Sequence, residues 1–271
     1  MRPEPMSPTR FQTTLAKAQA RTERAVEICV KRPAPEAIHQ ARISVRKLMA
    51  ALSLMPKGFR RDDRTVKISK ALRIFYAACA NIRDIDAMAR TLSTGVAFSD
   101  LKTVVVDLKK RRSVLLARVL SSGSEVTRLR LPKPTDDTRK RMRKRLNKLL
   151  DERVERASDL YRIAASGEEK VAELHALRKE CRRIMYLLEF AKEDAKVKSV
   201  MADLEDAREK LGSIRDDDVL LNFLRGVREG NHTEAAAHVF AGRRTKYKLF
   251  FSGQKDQGKR PRLLEGALSL T

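Results

Sequence analysis

Residues 38–49 read Ile-His-Gln-Ala-Arg-Ile-Ser-Val-Arg-Lys-Leu-Met, and residues 174–185 read Leu-His-Ala-Leu-Arg-Lys-Glu-Cys-Arg-Arg-Ile-Met. The two stretches align without gaps at an offset of 136 and share the pattern apolar-His-x-x-Arg-x-x-x-Arg-(Lys/Arg)-apolar-Met. In the first copy Ile38, Ala41, Val45, Leu48, Met49, Leu52 and Met55 fall into one broad stripe at the helical period, so the segment predicts an amphipathic helix. A helix written twice in one chain points to a duplicated helical fold.

The repeat extends outward in the same order. Ile82-Arg83-Asp84-Ile85-Asp86 matches Ile214-Arg215-Asp216-Asp217-Asp218 at an offset of 132, and Arg111-Arg112 matches Arg243-Arg244 at the same offset. One loop difference of four residues reconciles the two offsets. Proline removes a backbone donor and clashes inside a helix. The nine prolines stand at 3, 5, 8, 33, 35, 56, 132, 134 and 261, which leaves 57–131 and 135–260 open to helix. Both stretches are rich in Ala, Leu, Lys, Arg and Glu, all good helix formers. The expected helices are 9–31, 35–55, 62–93, 98–121, 137–165, 169–192, 196–227 and 233–252. Leu131-Pro132-Lys133-Pro134 separates two groups of four, each with the count of a four-helix bundle. The expected organisation is an N-terminal tail over 1–9, a first half over 10–131, a second half over 135–253, and an unassigned tail over 254–271.

Composition sets the chemistry. The chain has 271 residues with 59 Lys+Arg against 35 Asp+Glu, a formal net charge of +24, and is 42% hydrophobic and 5% aromatic. That apolar share builds a sizeable core and argues against disorder throughout. No run approaches the ~18 apolar residues of a membrane span, and the first residues lack an apolar signal core, so a cytoplasmic protein is expected. Cys29, Cys79 and Cys181 are odd in number and far apart, which disfavours a disulfide framework and a thiolate zinc site. A charge surplus of this size attracts polyanions. It is uneven: residues 1–135 carry 28 basic and 11 acidic side chains, and residues 136–271 carry 31 and 24.

On a helical wheel with His39 at 0°, Arg42 lies at about −60° and Arg46 at about −20°, beside the apolar stripe. His175, Arg178 and Arg182 group in the same way, with Lys179 and Arg183 flanking. Arginine presents a planar fork of donors that suits phosphate oxygens, and a nearby histidine adds a donor whose protonation a bound anion favours. The bland reading is that these arginines pair with acids such as Asp84 and Asp216, and that each histidine packs on the next helix. Duplication and the charge surplus weigh against it. A metal is disfavoured because each histidine is surrounded by Arg and Lys, which oppose a cation. His232 and His238 have no repeat mates and read as surface or cap residues.

Nucleophilic catalysis at His39 or His175 needs an orienting carboxylate and a general acid, and the local motif supplies neither. Leu211-Gly212-Ser213 holds a lone glycine and no phosphate-cradling loop, so ATP-driven chemistry is unsupported. Other basic runs are Lys67, Lys70 and Arg73; Lys109-Lys110-Arg111-Arg112; Lys17, Arg21 and Arg24; and 139–148, where seven of ten residues are basic. Singly they read as solvated helix faces; together they extend an anion path. The Arg-Asp blocks, Arg83 with Asp84 and Asp86, and Arg215 with Asp216 to Asp218, place carboxylates in a cationic frame. There they are expected to hold arginines in fixed rotamers through charge-assisted bonds.

The His-x-x-Arg-x-x-x-Arg-(Lys/Arg) helix after Pro33-Ala34-Pro35-Glu36-Ala37, its second copy at His175, and the Arg-Asp block following each resemble the CHAD family, the conserved histidine α-helical domain. The likeness covers about residues 10 to 253. It implies an all-α fold of two four-helix bundles related by pseudo-two-fold symmetry, with a basic central groove or pore that binds inorganic polyphosphate. Carried over, the binding candidates are His39, Arg42, Arg46 and Lys47, then His175, Arg178, Lys179, Arg182 and Arg183, with Lys109, Arg112, Arg244 and Lys248 as weaker ones. No strands of a triphosphate-tunnel enzyme accompany them, so a binding module without catalytic residues, metal or cofactor is expected. Association with polyphosphate granules goes with that reading.

Two other function classes compete. The charge and a pI near 10.4 also suit a nucleic-acid-binding protein. With no Trp, four Tyr and nine Phe, mostly at apolar periodic positions, the chain lacks stacking platforms and a recognition motif, so only weak electrostatic binding is expected. An enzyme that cleaves or transfers phosphate through the two histidines would release phosphate with time.

Overall fold

The computed structural model describes residues 7–94, 102–128, 130–132, 138–191, 194–226 and 233–252. Residues 1–6 of the expected tail over 1–9, the expected tail over 254–271, His232 and Pro134 lie outside these residues. Among the described residues the regular structure is helical: α1 Pro8–Lys31, α2 Pro35–Leu54, α3 Lys57–Arg61, α4 Asp63–Thr94, α5 Lys102–Arg128, α6 Thr138–Ala165, α7 Val171–Leu188, α8 Ala195–Gly226 and α9 Thr233–Ser252. No described helix is long and apolar enough to cross a membrane. The chain divides into two compact units, one over Ser7–Arg145 and one from Leu146 onward, with the boundary inside α6.

In the first unit α1 packs on α2 and α5, and α4 packs on α2, α3 and α5. Pro35 occupies the first turn of α2, where its missing N–H costs nothing, and α2 stops at the extended Met55 before Pro56. The brief α3 follows, and Asp62 then starts α4 by accepting hydrogen bonds from the backbone N–H groups of Arg64 (2.9 Å) and Thr65 (3.3 Å). Ile38, Ala41, Val45, Leu48 and Leu52 are buried on α2, as the wheel requires. Phe11, Val26 and Cys29 of α1 and Leu72, Phe75 and Ile82 of α4 are buried as well, on the two helices against which α2 packs. Each large side chain buried there contributes ~1.5–3 kcal/mol.

The second unit packs α8 against α7 and α9. The Tyr247 hydroxyl ties α9 to α6 by donating to the Ala164 carbonyl at 2.7 Å, and its ring lies 4.7 Å from that of Phe251. Asp194 caps α8 by accepting from the Val197 N–H at 2.8 Å. The repeat is written into this core. Leu174, Leu177, Cys181, Ile184 and Leu188 are buried 136 positions after the buried residues of α2, and Val197, Val200, Leu204, Ala207, Leu211 and Ile214 are buried 132 after Thr65, Ile68, Leu72, Phe75, Cys79 and Ile82.

Three element expectations need correction. The helix expected over 98–121 runs on to Arg128, because Ser121-Ser122-Gly123 is not a terminator. A Cβ on Gly123 would stand 2.5 Å from Val30 Cγ2 and 3.1 Å from Phe75, so this glycine lets α1 approach α5 closely. The Ser122 hydroxyl meanwhile bonds back to the Arg118 carbonyl at 2.6 Å. Second, α7 ends at Leu188 and not near 192. Third, α3 was not expected, since five residues between Pro56 and Asp62 carry too little periodicity to announce a helix.

Candidate functional site

The first unit builds its site on one face of α2. Arg42 and Arg46 stack on the ring of Tyr76 from α4, their guanidinium carbons 5.2 and 5.9 Å from its centroid. Arg42 Nε is buried there with no hydrogen-bond partner. His39 stands one turn earlier. Burial first, and then the charges of Arg83, Arg46 and Arg42, hold its imidazole below the usual histidine range, against the opposing pull of Glu36. In the free site, burial and the surrounding cations thus disfavour the charged form of His39. Lys47, Arg83 and Asp84 are partly buried in the same unit.

Behind this face lies a clamp. Arg112 of α5 donates from Nε to Asp86 Oδ1 at 2.7 Å and from Nη2 to the Pro33 carbonyl at 2.7 Å, just ahead of α2. One guanidinium thus fastens α4 and α5 to the entry of the histidine helix. Asp86 Oδ2 is buried and without a partner. Lys109 is exposed on α5 and lines a pocket with Arg112, Asp86, Ile85, Ala89 and Pro35.

The second unit repeats the clamp and completes it. Arg243 of α9 pairs from Nε with Asp218 Oδ1 and donates from Nη2 to the Glu168 carbonyl at 2.9 Å, shortly before α7. Here the second carboxylate oxygen is used, with His175 Nε2 lying 2.9 Å from Asp218 Oδ2. Burial alone would raise the Asp218 carboxyl, but the bonds from His175 and Arg243, with the Arg243 charge, outweigh it and hold the group below its usual value. The histidines are thus inequivalent, one held by a carboxylate and one facing arginines. Arg178 lies over Gly212 of α8, where an added Cβ would meet its guanidinium at 3.5 Å. Lys179 and Lys248 are exposed, and Arg182, Arg215 and Asp216 are partly buried. Arg183 pairs with Glu180, and Arg244 with Glu168 at 3.3 Å.

This geometry corrects the repeat register on the last helix. The arginine equivalent to Arg112 is Arg243, not Arg244, because these two make the same clamp. Arg112, expected among the binding residues, has its Nε and Nη2 donors committed to Asp86 and Pro33. Of the Arg-Asp block acids, Asp86 pairs with Arg112 at 2.7 Å, Asp218 pairs with Arg243, and Asp217 pairs with Lys246 at 2.6 Å. Sequence reading missed Tyr76 and Glu180. Tyr76 corresponds to Arg208 in the second copy, so no repeat signal marks it. Glu180 carried a signal, an acid within an otherwise basic strip next to the apolar Cys181.

A family model for the CHAD domain matches residues 9–225, and the chain belongs to that family. The crystal structure of the CHAD domain from the plant Ricinus communis aligns over 100% of this chain and 94% of its own, with a TM-score of 0.59 and 15% sequence identity. At that identity the likeness is one of fold. No curated protein sequence matches this chain.

Proposed function

We propose that this chain is a non-catalytic module that binds inorganic polyphosphate in the cytoplasm and at polyphosphate granules. The observation that carries the reading is a histidine-arginine helix face built twice, each time with its helix entry fastened by an Asp–Arg clamp. A linear polyphosphate offers dense negative charge and no bases, so it asks for forked donors and cations rather than stacking platforms. His39, Arg42, Arg46 and Lys47 supply them in the first unit. His175, Arg178, Lys179, Arg182 and Arg183 supply them in the second, with Lys109, Arg244 and Lys248 as outlying cations. Tyr76 serves as a support that keeps the Arg42 and Arg46 guanidiniums in place.

The test is a titration of labelled long-chain polyphosphate at several salt concentrations, competed with single-stranded DNA of matched charge, while free phosphate is followed. Binding that survives near-physiological salt, resists DNA and releases no phosphate is expected. The His39→Ala/Arg42→Ala/Arg46→Ala variant should stay helical and bind ~10-fold or more weakly, since each lost hydrogen bond to a charged group is worth ~1.5–3 kcal/mol. Equal displacement by DNA, release of phosphate, or unchanged affinity in the folded variant rejects the reading.

A further inference from the structure

The second unit contains a buried acid where the first has none. Glu180 of α7 stands 136 positions after Ser44 of α2. Its side chain is 2% exposed, and three arginines converge on it. Arg153 Nη1 lies 3.3 Å from Oε2, Arg156 Nε lies 3.6 Å from Oε1, and Arg183, one turn along the same helix, pairs with Oε1. Two of these arginines come from α6, beyond its basic run at 139–148 and outside the repeated motifs. In the first unit the Ser44 hydroxyl only bonds back to the Gln40 carbonyl at 3.0 Å and brings no charge.

One carboxylate among three guanidiniums leaves two positive charges in excess. The side chains of Arg156 and Arg183 are 63% and 51% exposed, so they reach solvent while touching Glu180. A carboxylate oxygen and a phosphate oxygen are the same kind of acceptor for a guanidinium fork. Glu180 thus draws, from inside, on guanidiniums that an outside oxyanion uses: it accepts from Arg153 Nη1 and Arg183 Nη1 and attracts Arg156 by charge at 3.6 Å.

We propose that Arg153, Arg156 and Arg183 form a phosphoryl-binding site whose resident anion is Glu180, and that this carboxylate holds the second unit's affinity for phosphate polyanions below its potential. The inference rests on the polyphosphate reading for the identity of the ligand. It adds Arg153 and Arg156 of α6, beyond the basic run at 139–148, to the binding surface. The acid replaces no fold contact that the first unit needs, since Ser44 fills the same helical position there. Its effect is electrostatic and competitive.

The experiment uses the full chain carrying His39→Ala/Arg42→Ala/Arg46→Ala, so that the second unit dominates binding, with and without Glu180→Gln. Long-chain polyphosphate is titrated at several salt concentrations, and circular dichroism confirms helicity. Glu180→Gln is expected to tighten binding several-fold and to steepen the dependence of log K on log salt, by ~0.7–0.9 for each further phosphate neutralised. An unchanged or weakened affinity with an unchanged slope overturns the proposal. Arg156→Ala, at an exposed position, supplies a second arm that does not depend on Glu180→Gln folding: it should weaken binding in the same background, and no change overturns the site. If the unmodified chain fails to bind polyphosphate, the polyphosphate reading falls. The same pair is then compared on single-stranded DNA of matched charge, where a gain in Glu180→Gln upholds the masked arginine site and no gain rejects it.

Discussion

Replacing Asp218 by Asn should unfold the second unit well before the equivalent change affects the first. Asp218 and Arg243 are 5% and 4% exposed, so the carboxylate balances a guanidinium that has almost no access to water. The substitution keeps the shape and removes the charge. Breaking a buried pair from one side costs ~3–5 kcal/mol, because the remaining charge stays buried without its partner. His175 loses its charged acceptor in the same step. At ~4 °C per kcal/mol, the value between the ranges for smaller and larger domains, a loss of ~3–5 kcal/mol should lower the transition that involves α7 to α9 by ~12–20 °C. The internal control is Asp86→Asn. Its partner Arg112 is 20% exposed and no histidine completes that clamp, so about half the loss is expected. Calorimetry at pH 7, with urea titration followed by circular dichroism, measures both. The carboxyl of Asp218 is held below its usual value, so its contribution is complete above the unfolded pKa of about 3.9. It is lost as pH falls through the lower folded value, and the gap between wild type and Asp218→Asn should close only in that acidic window. A loss under ~1 kcal/mol, or a larger loss for Asp86→Asn, would refute the argument from burial.

Two further outcomes follow from the geometry. Gly123→Ala should destabilise the first unit, because overpacking against Val30 and Phe75 costs ~1–3 kcal/mol and exceeds the ~1 kcal/mol that alanine gains over glycine in a helix; adding Val30→Ala should recover most of it in a thermal melt, and a stabilised Gly123→Ala would exclude the close approach. Polyphosphate affinity should rise as pH falls through the His39 range and then level off, since a bound polyanion raises an imidazole that burial, Arg83, Arg46 and Arg42 now hold low. Titrations from pH 8 to 5 check this, and His39→Asn should flatten the profile; affinity that declines as pH falls would contradict it.

Amphipathic periodicity and proline placement determined the helices, because an apolar stripe at 3.6 residues can be buried in only one way and a proline ends a helix wherever it falls inside one. The duplicated motif determined which residues share a face: His39, Arg42 and Arg46 are fixed by spacing along a single helix, as are His175, Arg178 and Arg182. What each of those side chains meets was decided by tertiary structure. The clamps join residues 26 and 25 positions apart in sequence, Arg112 with Asp86 and Arg243 with Asp218, and only packing of α5 on α4 and of α9 on α8 reveals that these two arginines are the equivalent pair. Gly123 reads as a helix end until the Val30 side chain stands against it. Tyr76 carries no mark in the sequence, and only the packing of α2 on α4 shows two arginines over its ring. Charge followed the same division. The total is a property of composition, whereas the availability of each cation depends on which carboxylate folding brings within reach, as Glu180 does for Arg153, Arg156 and Arg183.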